Sequence, residues 1–165
     1  MEIKEMPLEE KYEKLLDQWI LDDAKNFAFH KELGVLDKYD DFNRKVQKKM
    51  IPSILGVGFK VFKAVTPSRA FKQLVEQLAY VMQMNMPLAN MEVTMDSDRE
   101  ATLTVNNCPK LKRTKDLAKK AGLNINPVAM CAREGKHFRE YGEWFGVDMH
   151  VQFQKDGCIT KIKLK

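Results

Sequence analysis

The sequence predicts an α+β fold: N-terminal helices followed by β-β-α-α-β-β, with an antiparallel four-stranded sheet covered by helices. Three observations carry this. Apolar residues recur at three- and four-residue spacing from Leu8 to Met82. The period shortens to two after Pro87 and again after His150. Between these alternating regions lie two helical runs, each opened by a proline, Pro109 and Pro127.

The first helix follows from Leu8, Tyr12, Leu15, Leu16, Trp19, Ile20, Ala24 and Phe27, with Pro7 near its start and Gly34 just beyond its end. A second starts near Asp37 with Tyr39, Phe42, Val46 and Met50. Pro52 interrupts it, because proline lacks an amide hydrogen and clashes with the preceding turn, and Gly56 and Gly58 loosen its continuation through Phe59, Phe62 and Val65. Thr66-Pro67-Ser68 then supplies a capping residue and a helix-starting proline before Phe71, Leu74, Val75, Leu78 and Met82.

Beyond Pro87, Met91, Val93 and Met95 alternate with polar residues. After the turn-like Ser97-Asp98-Arg99, Ala101, Leu103 and Val105 do the same, so the two runs form a hairpin. Helices follow from Pro109 to about Ala121, stopped by Gly122, and from Pro127 to about Tyr141, with Asn126 as N-cap. Val151 and Phe153, an Asp156-Gly157 turn, then Cys158, Thr160 and Ile162 form a second hairpin with Cys158 on its apolar face.

At 165 residues the chain suits one domain, 1–165. Residues 1–86 form its helical half, expected to mediate dimerisation, and 87–165 form the α+β half, expected to bind ligand and metal. The charged N-terminus lacks a signal-like apolar run, and no stretch approaches the roughly 18 apolar residues of a membrane helix, so the expectation is a cytoplasmic protein without a membrane span. An odd cysteine count in such a chain argues for reduced thiols that are buried, reactive or metal-bound.

Cys108, Cys131 and Cys158 all lie in the last 58 residues, each near the end of a predicted element. Cys108 precedes Pro109, where the partial positive charge of a helix start favours thiolate. Cys131 shares a helix face with Glu134 and Phe138, and Cys158 points inward from the last strand. Three thiolates and one carboxylate suffice for tetrahedral zinc, without excluding iron. The candidate metal set is therefore Cys108, Cys131, Cys158 and Glu134, with His137 as fallback. His150 is the weaker alternative, since it shares parity with the polar Gln152 and Gln154. Against this set stands the plainer reading, that free cysteines are small core residues.

The stretch from Asn107-Cys108-Pro109 through the basic helix, Cys131-Ala132-Arg133-Glu134 and Asp156-Gly157-Cys158 resembles two families. One is the vinyl-reductase domain, a hydrocarbon-binding module of sensory proteins. The other is the L-2-amino-thiazoline-4-carboxylic acid hydrolase-like family. The first resemblance implies zinc held by cysteines and a glutamate beside a pocket for a small apolar ligand. Cys108-Pro109 and Cys131-x-x-Glu134 match the second, and Gly157-Cys158 matches both. Where vinyl-reductase domains carry a glutamate upstream of the last hairpin, this chain has His150 eight residues before Cys158, which makes Cys108 the third thiol.

Five methionines lie between Met82 and Met95, and methionine adapts its shape to apolar ligands. The candidate pocket is Met82, Met91, Val93, Met95, Leu103, Val105 and Phe138; such clusters are also ordinary core. The segment 109–165 holds nearly half of the 28 Lys/Arg but about a quarter of the 23 Asp/Glu, and Lys110, Lys112, Arg113, Lys115, Lys119 and Lys120 crowd one helix. Leu111, Leu117 and Ala118 explain that helix as amphipathic, and no aromatic residue interrupts it for base stacking, which disfavours nucleic acid. Phe59 and Phe62, interleaved with Lys60 and Lys63, suit a membrane surface, a partner subunit or the core. His30 is read as a surface residue. Phosphate-loop and serine-elbow motifs are absent.

Taken together, the residues favour a metal-containing protein of sensor or carrier type that binds a small apolar molecule and forms a homodimer. Alternatives are a zinc-dependent hydrolase of a small heterocyclic or amide substrate with Glu134 as general base, and a nucleic-acid or protein-binding module using helix 110–120.

Overall fold

The computed structural model describes residues 6–50, 61–83 and 90–165, without the side chains of Gln47, Met50, Glu134, His137 and Tyr141. Helices α1 (Leu8–Glu32), α2 (Leu36–Met50) and α3 (Pro67–Met82) precede strands β1 (Met91–Met95) and β2 (Glu100–Val105). Helices α4 (Pro109–Lys120) and α5 (Pro127–Phe145) lead to β3 (Val147–Phe153) and β4 (Cys158–Leu164). The predicted fold class is thereby observed. The break expected around Pro52 and the aromatic segment through Phe59 lie outside the described residues. Lys63, from the segment expected to meet a membrane surface, a partner subunit or the core, donates to the Gly146 carbonyl at 2.9 Å.

Local chemistry accounts for the helix ends. Asn126 Oδ1 accepts from the Val128 and Ala129 amides at 3.0 and 3.3 Å, capping α5. That helix runs beyond Tyr141 to Phe145 and stops at Gly146, whose φ of 65° favours glycine. Thr66 departs from expectation. Its hydroxyl donates to the Phe62 carbonyl at 3.2 Å and makes no cap bond to α3, because residues 61–65 are already helical and offer a nearer acceptor.

All strand pairings are antiparallel, in the order β1-β2-β4-β3. The register lines up three inner rows: Met95-Ala101-Ile162-Met149, Val93-Leu103-Thr160-Val151 and Met91-Val105-Cys158-Phe153. The outer face carries Glu100, Asp148, His150, Lys161 and Lys163, with Lys163 paired to Glu100 at 2.7 Å.

On the inner face, Phe71, Leu74 and Val75 of α3 pack with Ala101, Val147, Met149, Ile162 and Leu164. Phe71 is fully buried, which alone stabilises the fold by about 1.5–3 kcal/mol. The helical half is thus not a separate layer: α3 covers the sheet together with the C-terminal helices. Beside this cluster, Leu103 and Val105 pack with Ala79, Cys108 and Leu111.

A second helical layer lies over α4 and α5. Ala24 and Phe27 of α1 pack with Met130 of α5. Arg113 of α4 is ion-paired to Glu13 and, at 3.3 Å, to Asp17, while Arg44 of α2 is ion-paired to Glu140 of α5. Arg133 of α5 reaches Asp40 of α2 and stands over the rings of Phe27 and Tyr39, each 5.6 Å away. Tyr39 in turn stacks on His30 at 3.9 Å, so His30 bridges α1 and α2 instead of simply facing water. Along the α1 stripe Ile20, Ala24 and Phe27 are buried, whereas Leu8, Tyr12, Leu15 and Trp19 are exposed.

Candidate functional site

Backbone packing brings the first and third cysteines together. After β2, Asn107 adopts φ 48°, a conformation asparagine tolerates, and turns the chain so that the Cys108 amide donates to the Asp156 carbonyl at 2.7 Å. The Asn90 side chain holds this turn by donating to the Asn106 and Asn107 carbonyls at 3.1 and 3.2 Å. From the other side, Gly157 approaches so closely that a Cβ there would lie 1.9 Å from the Val105 carbonyl oxygen. Only glycine fits. The entry to β4 is therefore pressed against the exit of β2, with Cys158 opposite Val105 and Cys108 at the N-cap of α4.

Cys131 comes from α5, and its side chain packs against the same apolar cluster as Cys108 and Cys158. A bare Cα at Gly135 lets α5 lie against Phe153, whose ring would be 2.7 Å from any Cβ. None of the three cysteines is disulfide-bonded.

These elements line a partly open cavity of about 100 Å³. Leu78 and Met82 of α3 line it, as do Leu103 of β2, Cys108, Lys110 and Leu111 around the start of α4, and Cys131 and Phe138 of α5. Met149, Val151, Phe153, Gly157, Cys158, Thr160 and Ile162 from the last hairpin complete the wall. The lining is apolar apart from the thiols, Thr160 and Lys110. Lys110 is only 7 % exposed, and its Nζ lies 5.1 Å from the centre of the Trp19 ring. Burial, and then the neighbouring Cys108, push the Cys158 thiol up from 9.0 to about 11. Cys158 is accordingly a neutral thiol at physiological pH.

The structure sorts the sequence-predicted residues. Cys108, Cys131, Cys158, Met82, Leu103 and Phe138 all line this one cavity. Met91 and Val105 belong to the adjoining packed cluster and are not part of the wall. Val93 and Met95 stand on the inner face of the edge strand β1, 40 % and 39 % exposed, and are not part of the wall. His150 is exposed on the outer face, as its parity requires. The side chains of Glu134 and His137, and the whole of Met84 and Met86, lie outside the described residues.

For zinc the test is whether donors converge. Among the described residues, no group of three or more His, Cys, Asp or Glu side chains is arranged to hold a metal ion. The three thiols share a cavity wall without closing on one point, so the described donors do not fit a three-thiolate ion.

Sequence reasoning missed Lys110 and most of the hairpin wall. A signal for Lys110 was present: it precedes Thr114 by four residues and Ala118 by eight, both buried, so it sits on the covered face of α4. The basic helix is correspondingly less available than its composition suggests. Lys110 is buried and Arg113 is paired with α1, which leaves Lys112, Lys115, Lys119 and Lys120 exposed.

No family model, curated protein or solved structure matches this chain. Among the described residues, no helix is long and apolar enough to cross a membrane.

Proposed function

We propose that this protein binds a small, largely apolar molecule in the cavity between the sheet and helices α3, α4 and α5, acting as a sensor or carrier domain. One observation supports the reading above others: an apolar cavity at the heart of the fold, with polar groups confined to three thiols, Thr160 and the buried Lys110. Binding sites are built this way, with apolar walls for affinity and few polar groups for orientation. A volume of about 100 Å³ is somewhat below the roughly 150 Å³ of an apolar cavity that takes up benzene, so the ligand is of single-ring size or smaller.

The test is a thermal-shift series with benzene, toluene and phenol. A compound at a hundred times its Kd stabilises the protein by about 2.7 kcal/mol through mass action. Val151→Trp, which fills the cavity from strand β3 at the sheet edge, should abolish that gain. Stabilisation that survives Val151→Trp, or a panel that stabilises nothing, would end this reading.

For the exposed stripe Leu8, Tyr12, Leu15 and Trp19 on α1, the partner we propose is a second copy of the chain.

A further inference from the structure

Within the three-thiol cavity, Cys108 and Cys158 differ from Cys131 in how the backbone holds them. The first two are held by one backbone arrangement: the 2.7 Å hydrogen bond from the Cys108 amide to the Asp156 carbonyl, and the glycine-only contact of Gly157 with Val105. Both thiols open on the same apolar wall, and neither is oxidised to a disulfide. Cys131 is carried by a different element, α5, and no three-donor group forms with it among the described residues.

We infer that Cys108 and Cys158 form a two-thiol site that captures a soft, thiophilic centre bearing an apolar substituent, the chemical class of a trivalent arylarsenical. The inference rests on the cavity reading, because the substituent needs the apolar space lined by Met82, Phe138 and Phe153. Soft centres select sulfur ligands, and two thiols held side by side bind such a centre far more firmly than one, since the second bond forms within the same molecule. The reaction is a condensation without redox change. An aryl arsenic oxide loses its oxygen, two As–S bonds form, and the two thiol protons leave with that oxygen as one water.

Phenylarsine oxide is the probe, read by intact mass and by the number of thiols left for a colorimetric disulfide reagent. The wild-type protein should take up one arsenical and lose two of its three titratable thiols. Cys108→Ser and Cys158→Ser should each abolish an adduct that survives removal of excess reagent, and Cys131→Ser should retain it. On the unmutated protein, dimercaptopropanol should strip the adduct while an equal concentration of a monothiol does not. An adduct that persists in Cys158→Ser, disappears in Cys131→Ser or yields to the monothiol overturns the assignment. If the arsenical fails to add while benzene-sized compounds still stabilise the protein, the two-thiol site falls alone. If it adds at Cys108 and Cys158 while no apolar compound stabilises, the cavity reading falls alone.

Discussion

Arg133 Nε stands 2.8 Å from Asp40 Oδ1 between α5 and α2, with the two side chains only 13 % and 11 % exposed. Neither atom is in an aligned hydrogen bond within the described structure, so the contact is one of charge on charge. The rings of Phe27 and Tyr39 flank the guanidinium and exclude water from it.

Removing one member of a nearly buried pair strands the other. Asp40→Ala is therefore expected to cost about 3 kcal/mol in urea unfolding. Combining it with Arg133→Met, which replaces the stranded charge by an apolar side chain, should recover most of that loss. A double variant as unstable as Asp40→Ala would show that the pair does not dock α2 onto α5.

The raised pKa of Cys158 sets a window of pH dependence. Its neutral thiol is favoured by folding, so the stabilising contribution is fully present below pH 9.0 and is lost as pH rises through about 11. Melting temperature should fall across that interval, and Cys158→Ala should flatten the fall relative to the parent. At neutral pH, alkylation of Cys158 by iodoacetamide should be slow, because thiolate is the reacting form.

Gly157→Ala tests the juncture of β2 and β4. Its new Cβ would meet the Val105 carbonyl oxygen at 1.9 Å, and that atom belongs to the paired backbone and cannot swing aside. The expected loss is about 3 kcal/mol or more, together with loss of ligand-induced stabilisation, since Gly157 also lines the cavity. Unchanged stability would mean that the two strands are not held so close.

Self-association is expected through α1. Sedimentation should show a concentration-dependent dimer, and Leu15→Lys, at a residue 70 % exposed, should shift it to monomer without altering the far-ultraviolet spectrum. A monomer at micromolar concentration in the parent protein would remove the homodimer from the proposal.

Much of the fold was legible because local rules suffice for it. Pro67, Pro109 and Pro127 begin helices since their missing amide is unneeded there, and Asn126 caps α5 through its side chain. Alternation set the inward direction of Leu103, Val105 and Cys158. The same rule places Val93 and Met95 on the inner face, yet they stay partly exposed and outside the cavity wall. Parity decides which face a residue takes, but whether that face is covered depends on strand order, and β1 is at the edge. The apolar positions of α1 behave alike: their spacing predicts the helix, yet among the described residues Ile20, Ala24 and Phe27 are buried while Leu8 and Leu15 are exposed.

By itself, then, the sequence determined the order and type of the elements and the inward parity of Cys158, because these depend on spacing and capping within a few residues. Only the tertiary structure decided that β4 inserts beside β2, which presses Gly157 against Val105 and brings Cys108 next to Cys158. It also decided that Lys110 is buried under Trp19, and that the three thiols share a wall without converging on one point. These are meetings between residues far apart in the chain, set by how helices and sheet pack, and no local pattern of apolar and polar residues encodes them.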